Sequence, residues 1–154
     1  MIQRIQTVYL LIAEMLIALL FFVPFADIAG KDGKIYLFDI KGISLEGALK
    51  PEIIYSSLSL ILLCAVTLVL IVIAIYRFKN RILQMKLIKL IIFILLGFEG
   101  LICYYLWSGA KNVSGTYSLH VYIVFPVIAI ILVYLAVRAI ARDEALVRSI
   151  DRIR

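Results

Sequence analysis

The chain has 154 residues, 65% of them hydrophobic, with a mean hydropathy of +1.11 and a formal net charge of +6. Soluble domains hold roughly 45–50% apolar residues, so this composition excludes an ordinary soluble domain and marks a membrane protein. The charge does not mark a nucleic-acid binder, because the basic residues gather at the ends of apolar runs without an aromatic-plus-basic groove pattern.

Val8 to Phe25 is apolar except for Glu14 and follows a short segment carrying Arg4. It is longer than the about 7–15 residues of a signal-peptide core, and ADIA at 26–29 offers no good cleavage site. Residues 5–25 are therefore predicted as an uncleaved first span, amino terminus inside, ending near Pro24. Ala26 to Lys50 is the long polar segment. GKDG at 30–33 is a turn signal and KIYLFDIK at 34–41 is rich in strand formers, which predicts a small hairpin or strand on the outer surface. Ser44 to Leu49 is expected to add a short helical turn, and Pro51 to occupy the first turn of the next helix.

A second span is predicted over 53–76, where Ser56, Ser57, Ser59 and Thr67 can bond to the helix's own carbonyls. RFKNRILQMKLIK follows at 77–89, with Arg77, Lys79, Arg81, Lys86, Lys89 and no acid, and by the positive-inside rule it stays cytoplasmic. The third span, 82–107, ends in an aromatic exit of Tyr104, Tyr105 and Trp107. A short outer loop, Ser108 to Ser118, carries the sequon Asn112–Ser114, which matters only in a eukaryotic, luminal setting. The fourth span is 119–138, and Pro126 is expected to bend it. Residues 139–154 read as a cytoplasmic amphipathic helix continuing the fourth span, with an apolar stripe of Leu146, Ile150 and Ile153 and an i,i+4 pair of Glu144 and Arg148. The prediction is one all-α membrane domain over 1–154, with four spans, both termini cytoplasmic and a strand-prone first outer loop.

MIQRIQTVYL at 1–10, FKNRILQ at 78–84 and a tail running from YLAVRAI at 134–140 to RDEALVRSIDRIR at 142–154 resemble a small four-helix inner-membrane family of unknown function from Bacteroidota. The resemblance implies a bacterial inner membrane, where the sequon has no role, and it implies no reaction. A claudin-type tetraspan, the other comparison invited by the first outer loop, is set aside because that loop lacks the cysteine pair and the tryptophan such proteins place there.

Glu99, flanked by Gly97 and Gly100, lies about 15 Å along its helix from Lys89 and hence near mid-membrane. A charge there costs at least about 2.5 kcal/mol on insertion scales, so the residue must face protein or water or carry a proton. It is either a proton or cation relay or a neutral carboxyl bonded to a hydroxyl across a helix pair that the glycines bring close. Glu14 either snorkels toward the inner surface or meets Glu99 and shares a proton with it. Cys64 and Cys103, without CxxC or metal spacing, read as small buried hydrophobes. His120 reads as interfacial packing, and Tyr36, Tyr55, Tyr104, Tyr105, Trp107 and Tyr122 as an interfacial belt. No catalytic, cofactor-binding or metal-binding set is predicted. The expectation is a noncatalytic accessory or scaffold subunit in the lipid bilayer, with Leu146, Ile150 and Ile153 as the face that docks a membrane or cytoplasmic partner. The alternative is a small proton- or cation-coupled transporter using Glu99 and Glu14. An intramembrane enzyme has least support, because Cys64, Cys103 and His120 form no nucleophile or metal set.

Overall fold

A computed structural model describes residues 5–45, 47, 53–78, 80–113 and 115–151, with backbone alone at 53–54 and 146–151. In chain order these residues form α1 (Ile5–Leu19), β1 (Ala26–Ala29), β2 (Ile35–Asp39), β3 (Gly42–Leu45), β4 (Ile53–Ser56), α2 (Leu58–Tyr76), α3 (Arg81–Asn112), β5 (Thr116–Leu119), a 3-10 turn at Val121–Val124, and α4 (Phe125–Asp151). The structure is mostly helical, with a five-stranded antiparallel sheet in the order β4-β3-β2-β1-β5.

The helices pack around a ring, α1 on α2 and α4, and α3 on α2 and α4. Each buries a seam at alternating spacings of four and three. In α2 the seam is Leu60, Cys64, Thr67, Ile71 and Ala74; in α3 it is Gln84, Ile88, Ile91, Leu95, Phe98 and Ile102; in α4 it is Ala129, Val133, Ala136 and Ile140. That period, near 3.5, is the one that keeps a seam facing its neighbour at a shallow crossing angle. The opposite faces are also apolar, with Leu62, Val69, Phe93, Leu96 and Ile131 exposed. Leu58–Tyr76, Arg81–Asn112 and Val121–Ala145 are long and apolar enough to cross a membrane.

The predicted first span, 5–25, is shorter in the structure. At 15 residues, α1 is about 22 Å long, less than a hydrocarbon core of about 30 Å. The N–H groups of Leu20, Phe21 and Phe22 donate three residues back, to Ile17, Ala18 and Leu19, which tightens the exit. Pro24 then disfavours helical backbone at Val23, and the Phe25 N–H already donates to the Phe38 carbonyl in the sheet at 2.7 Å.

The outer hairpin expected at 34–41 is part of a larger sheet. Four strands come from 26–56, and the fifth, Thr116–Leu119, lies in the segment predicted to be a loop running into the fourth span. Ala26 opposes Phe38 and Leu119, and Ile28 opposes Tyr36 and Tyr117. Gly42–Leu45 is a strand rather than the start of a helical turn; 46 and 48–50 lie outside the described residues. Between β2 and β3 the Asp39 carboxylate accepts from the N–H groups of Lys41 (2.8 Å) and Gly42 (3.0 Å), while Gly42, at φ +137°, approaches Tyr55 too closely for any side chain. The second helix begins at Leu58, not at 53, because Ile53–Ser56 pairs with β3; Pro51 lies outside the described residues.

α3 outruns its predicted end at 107 because its last turns sit beneath the sheet, with Leu106, Gly109 and Ala110 buried. A Cβ at Gly109 would collide with the side chain of Ile43 and press on that of Ile28, so a glycine is needed for this close approach. Pro126 does not bend α4. It is the second residue of that helix, where a missing N–H costs nothing. From there α4 continues without a break to Asp151, and 152–154 lie outside the described residues.

Candidate functional site

Glu99 is the acid whose buried oxygen goes unmet among the described residues. It lies on α3 beside the buried Phe98, and its Oε2 is buried with no hydrogen-bond partner among the described residues. An unmet buried acceptor of this kind costs roughly 1–3 kcal/mol. The predicted hydroxyl partner is not there. Thr67 donates to the Leu63 carbonyl within its own helix at 2.7 Å, the Ser59 and Tyr105 hydroxyls pair at 2.9 Å, and the buried Ser57 hydroxyl donates to the Ile40 carbonyl at 2.8 Å, outside its own helix. Nor do the glycines bring helices together. Gly97 and Gly100 are exposed, and a Cβ on either would meet nothing within 4 Å.

Glu14 and Glu99 are not brought together. Gln6 Nε2 donates to the Asp143 carboxylate, and Arg81 reaches both the Asp143 carbonyl and Glu144 at 3.4 Å, so Gln6 and Arg81 share one level at the helix ends. By helical rise Glu14 stands about 12 Å above that level and Glu99 about 27 Å. They also ride on α1 and α3, which occupy opposite corners of the ring.

The polar network at this end was not foreseen. Gln6 and Gln84 are almost fully buried, and Gln84 Nε2 donates to the Ala74 carbonyl at 3.0 Å, where α2 is ending. Asn80 caps α3 by accepting from the Leu83 N–H at 3.2 Å. A signal was available: each glutamine stands four residues before a seam residue, Leu10 or Ile88. Beside this network a groove of 320 Å³ opens between α1 and α4, lined by Tyr9, Leu135, Arg138 and Arg142 among others. In the predicted docking stripe, Leu146 and Ile150 lie on the helical backbone of α4 with side chains outside the described residues; Ile153 lies outside them altogether.

At the sheet end His120 is more than interfacial packing. Its Nε2 is 3.0 Å from Asp27 Oδ1, and its N–H donates to the Phe25 carbonyl, which ties β1 to the approach to α4. Of the predicted belt, Tyr104 and Trp107 are exposed, with the Lys111 ammonium 5.2 Å from the Trp107 ring centre, whereas Tyr36 is buried inside the sheet. Tyr55, Tyr104 and Tyr105 line a second cavity, of 260 Å³, between β3, β4 and α3. Both cysteines are free; Cys64 is buried against the Ile17 carbonyl, and Cys103 is exposed rather than buried as predicted.

A family model described as a domain of unknown function, DUF4293, matches residues 2–153. The chain belongs to that family. The DUF4293 match covers every helix and strand described above, including β5 and the length of α4. No curated protein matches the chain.

Proposed function

We propose that this DUF4293 protein spans a bacterial inner membrane four times with both termini cytoplasmic, and acts as a noncatalytic accessory or scaffold subunit whose C-terminal helix engages a partner. The observation that carries the reading is the course of α4. A single helix runs from the sheet end to Asp151, and at residues 143 and 144 it is held against the starts of α1 and α3, so the tail beyond leaves from a fixed position. The apolar outward faces support embedding in lipid, and the gathering of Arg77, Arg81, Lys86, Arg138 and Arg142 at one end supports that end as the cytoplasmic one. The apolar exit Leu20–Phe25 extends α1 toward a full crossing. Cys64, Cys103 and His120 have separate surroundings and form no joint site.

Reporters after Asn80 and at the C-terminus are expected to read cytoplasmic, and one at Gly33 external; a cytoplasmic signal at Gly33 overturns the topology. Purification in mild detergent with mass spectrometry is expected to recover a stoichiometric partner that Ile150→Asp releases. Wild-type protein that recovers none overturns the scaffold.

The unpartnered Oε2 of Glu99 favours a second reading, a proton- or cation-coupled transporter in which Glu99 works without Glu14. It predicts that Glu99→Gln folds normally yet abolishes proton-dependent flux in reconstituted vesicles. Wild-type vesicles with no flux above empty liposomes remove it.

A further inference from the structure

We infer that the groove between the start of α1 and residues 135–143 of α4 binds the headgroup phosphate of an anionic phospholipid, with Arg138 and Arg142 as its ligands. The inference rests on the membrane reading above. Arg138 and Arg142 stand one turn apart on α4, and both line the same 320 Å³ groove, a volume at the low end of the roughly 300–1,000 Å³ of ligand pockets. Of the nearby acids, Asp143 lines the groove but its carboxylate accepts from the Gln6 amide, and Glu144 pairs with Arg81. Among the described residues neither arginine forms an ion pair. Two guanidinium forks one turn apart, with no ion pair among the described residues, suit a phosphate better than two ammonium groups would.

The rest of the lining decides between a lipid and a free phosphate. Besides the two arginines and Asp143, whose carboxylate accepts from the Gln6 amide, the lining is Ile5, Tyr9, Leu135 and Ala139, an apolar wall that a free phosphate would leave uncovered and that the glycerol and first acyl carbons of a lipid would cover. Basic pockets between membrane helices on the cytoplasmic side take anionic headgroups in this way, and Tyr9 in the lining carries a phenol that can donate to a lipid oxygen.

The test uses the full chain purified in neutral detergent and titrated with short-chain phosphatidylglycerol, phosphatidylcholine and inorganic phosphate, read by native mass spectrometry and by the unfolding temperature. Phosphatidylglycerol is expected to bind saturably and raise the unfolding temperature, with phosphatidylcholine bound far more weakly and inorganic phosphate displacing neither. Arg138→Gln and Arg142→Gln are each expected to weaken phosphatidylglycerol about fivefold, and the pair about 25-fold. The paired lysine variant, Arg138→Lys with Arg142→Lys, retains part of the affinity. Lys86→Gln, which removes an exposed charge outside the groove lining, changes nothing. The inference is overturned if the two lipids bind equally, if the glutamine variants bind like wild type, if Lys86→Gln causes the same loss, or if inorganic phosphate displaces the lipid. Topology reporters and partner recovery do not depend on this titration, so each reading fails separately.

Discussion

At the sheet end, Ile28 and Ile43 lie over Gly109 of α3, and backbone ladders hold the strands in place. At the opposite end α1, α3 and α4 meet through side chains, Gln6 to Asp143 and Arg81 to Glu144. Apolar burial with paired backbone is cooperative, because removing one strand exposes its neighbours. A partly exposed ion pair contributes only about 0–1 kcal/mol and yields readily. Resistance to unfolding is thus concentrated at one end, and the freedom to adjust at the end that carries the arginine groove and the tail.

The largest expected effect comes from emptying the sheet core. Phe38 is fully buried, edge-on to Phe25 at 5.4 Å between ring centres, and Phe38→Ala should cost about 3–5 kcal/mol in chemical unfolding monitored in detergent. Gly109→Leu should cost less, about 1–3 kcal/mol, by forcing Ile43 and Ile28 off α3. Its signature is faster amide exchange in β1 to β3 while the helix seams stay protected. Arg81→Ala should cost under about 1 kcal/mol, since both partners are roughly a quarter exposed, yet exchange should quicken at the end of α4 and not in the sheet. An Arg81→Ala loss as large as that of Phe38→Ala would erase the contrast between the two ends.

The helices were legible because long apolar blocks announce themselves, but their boundaries were not. Ile53–Ser56 runs into α2 with hardly a change in composition, so a strand ending in a helix looked like a longer helix. TYSL at 116–119 is a strand only because β1 lies beside it, and no local pattern reports a partner so distant in the chain. Which residues of each helix face the protein was equally hidden, since the outward faces are as apolar as the seams. Glu99 stood out as a charge in an apolar run, but the direction of Gly97 and Gly100 depends on packing and was read the wrong way round. The missing cysteine pair and tryptophan in the first loop did not preclude a sheet there; Phe25, Ile28 and Phe38 supply the burial that holds it.

β5 also sets an order of assembly. Asp27 and His120, which pair across β1 and the end of β5, are 93 residues apart. The first strands therefore emerge from synthesis well before the strand that completes their sheet, with α2 and α3 made in between. Until α3 is in place nothing lies beneath Ile28 and Ile43, and β1 keeps an open edge that invites mispairing. The last strand acts as a latch that closes only after its predecessors are seated, so chains stalled before residue 116 are the ones that should need a chaperone at the sheet end.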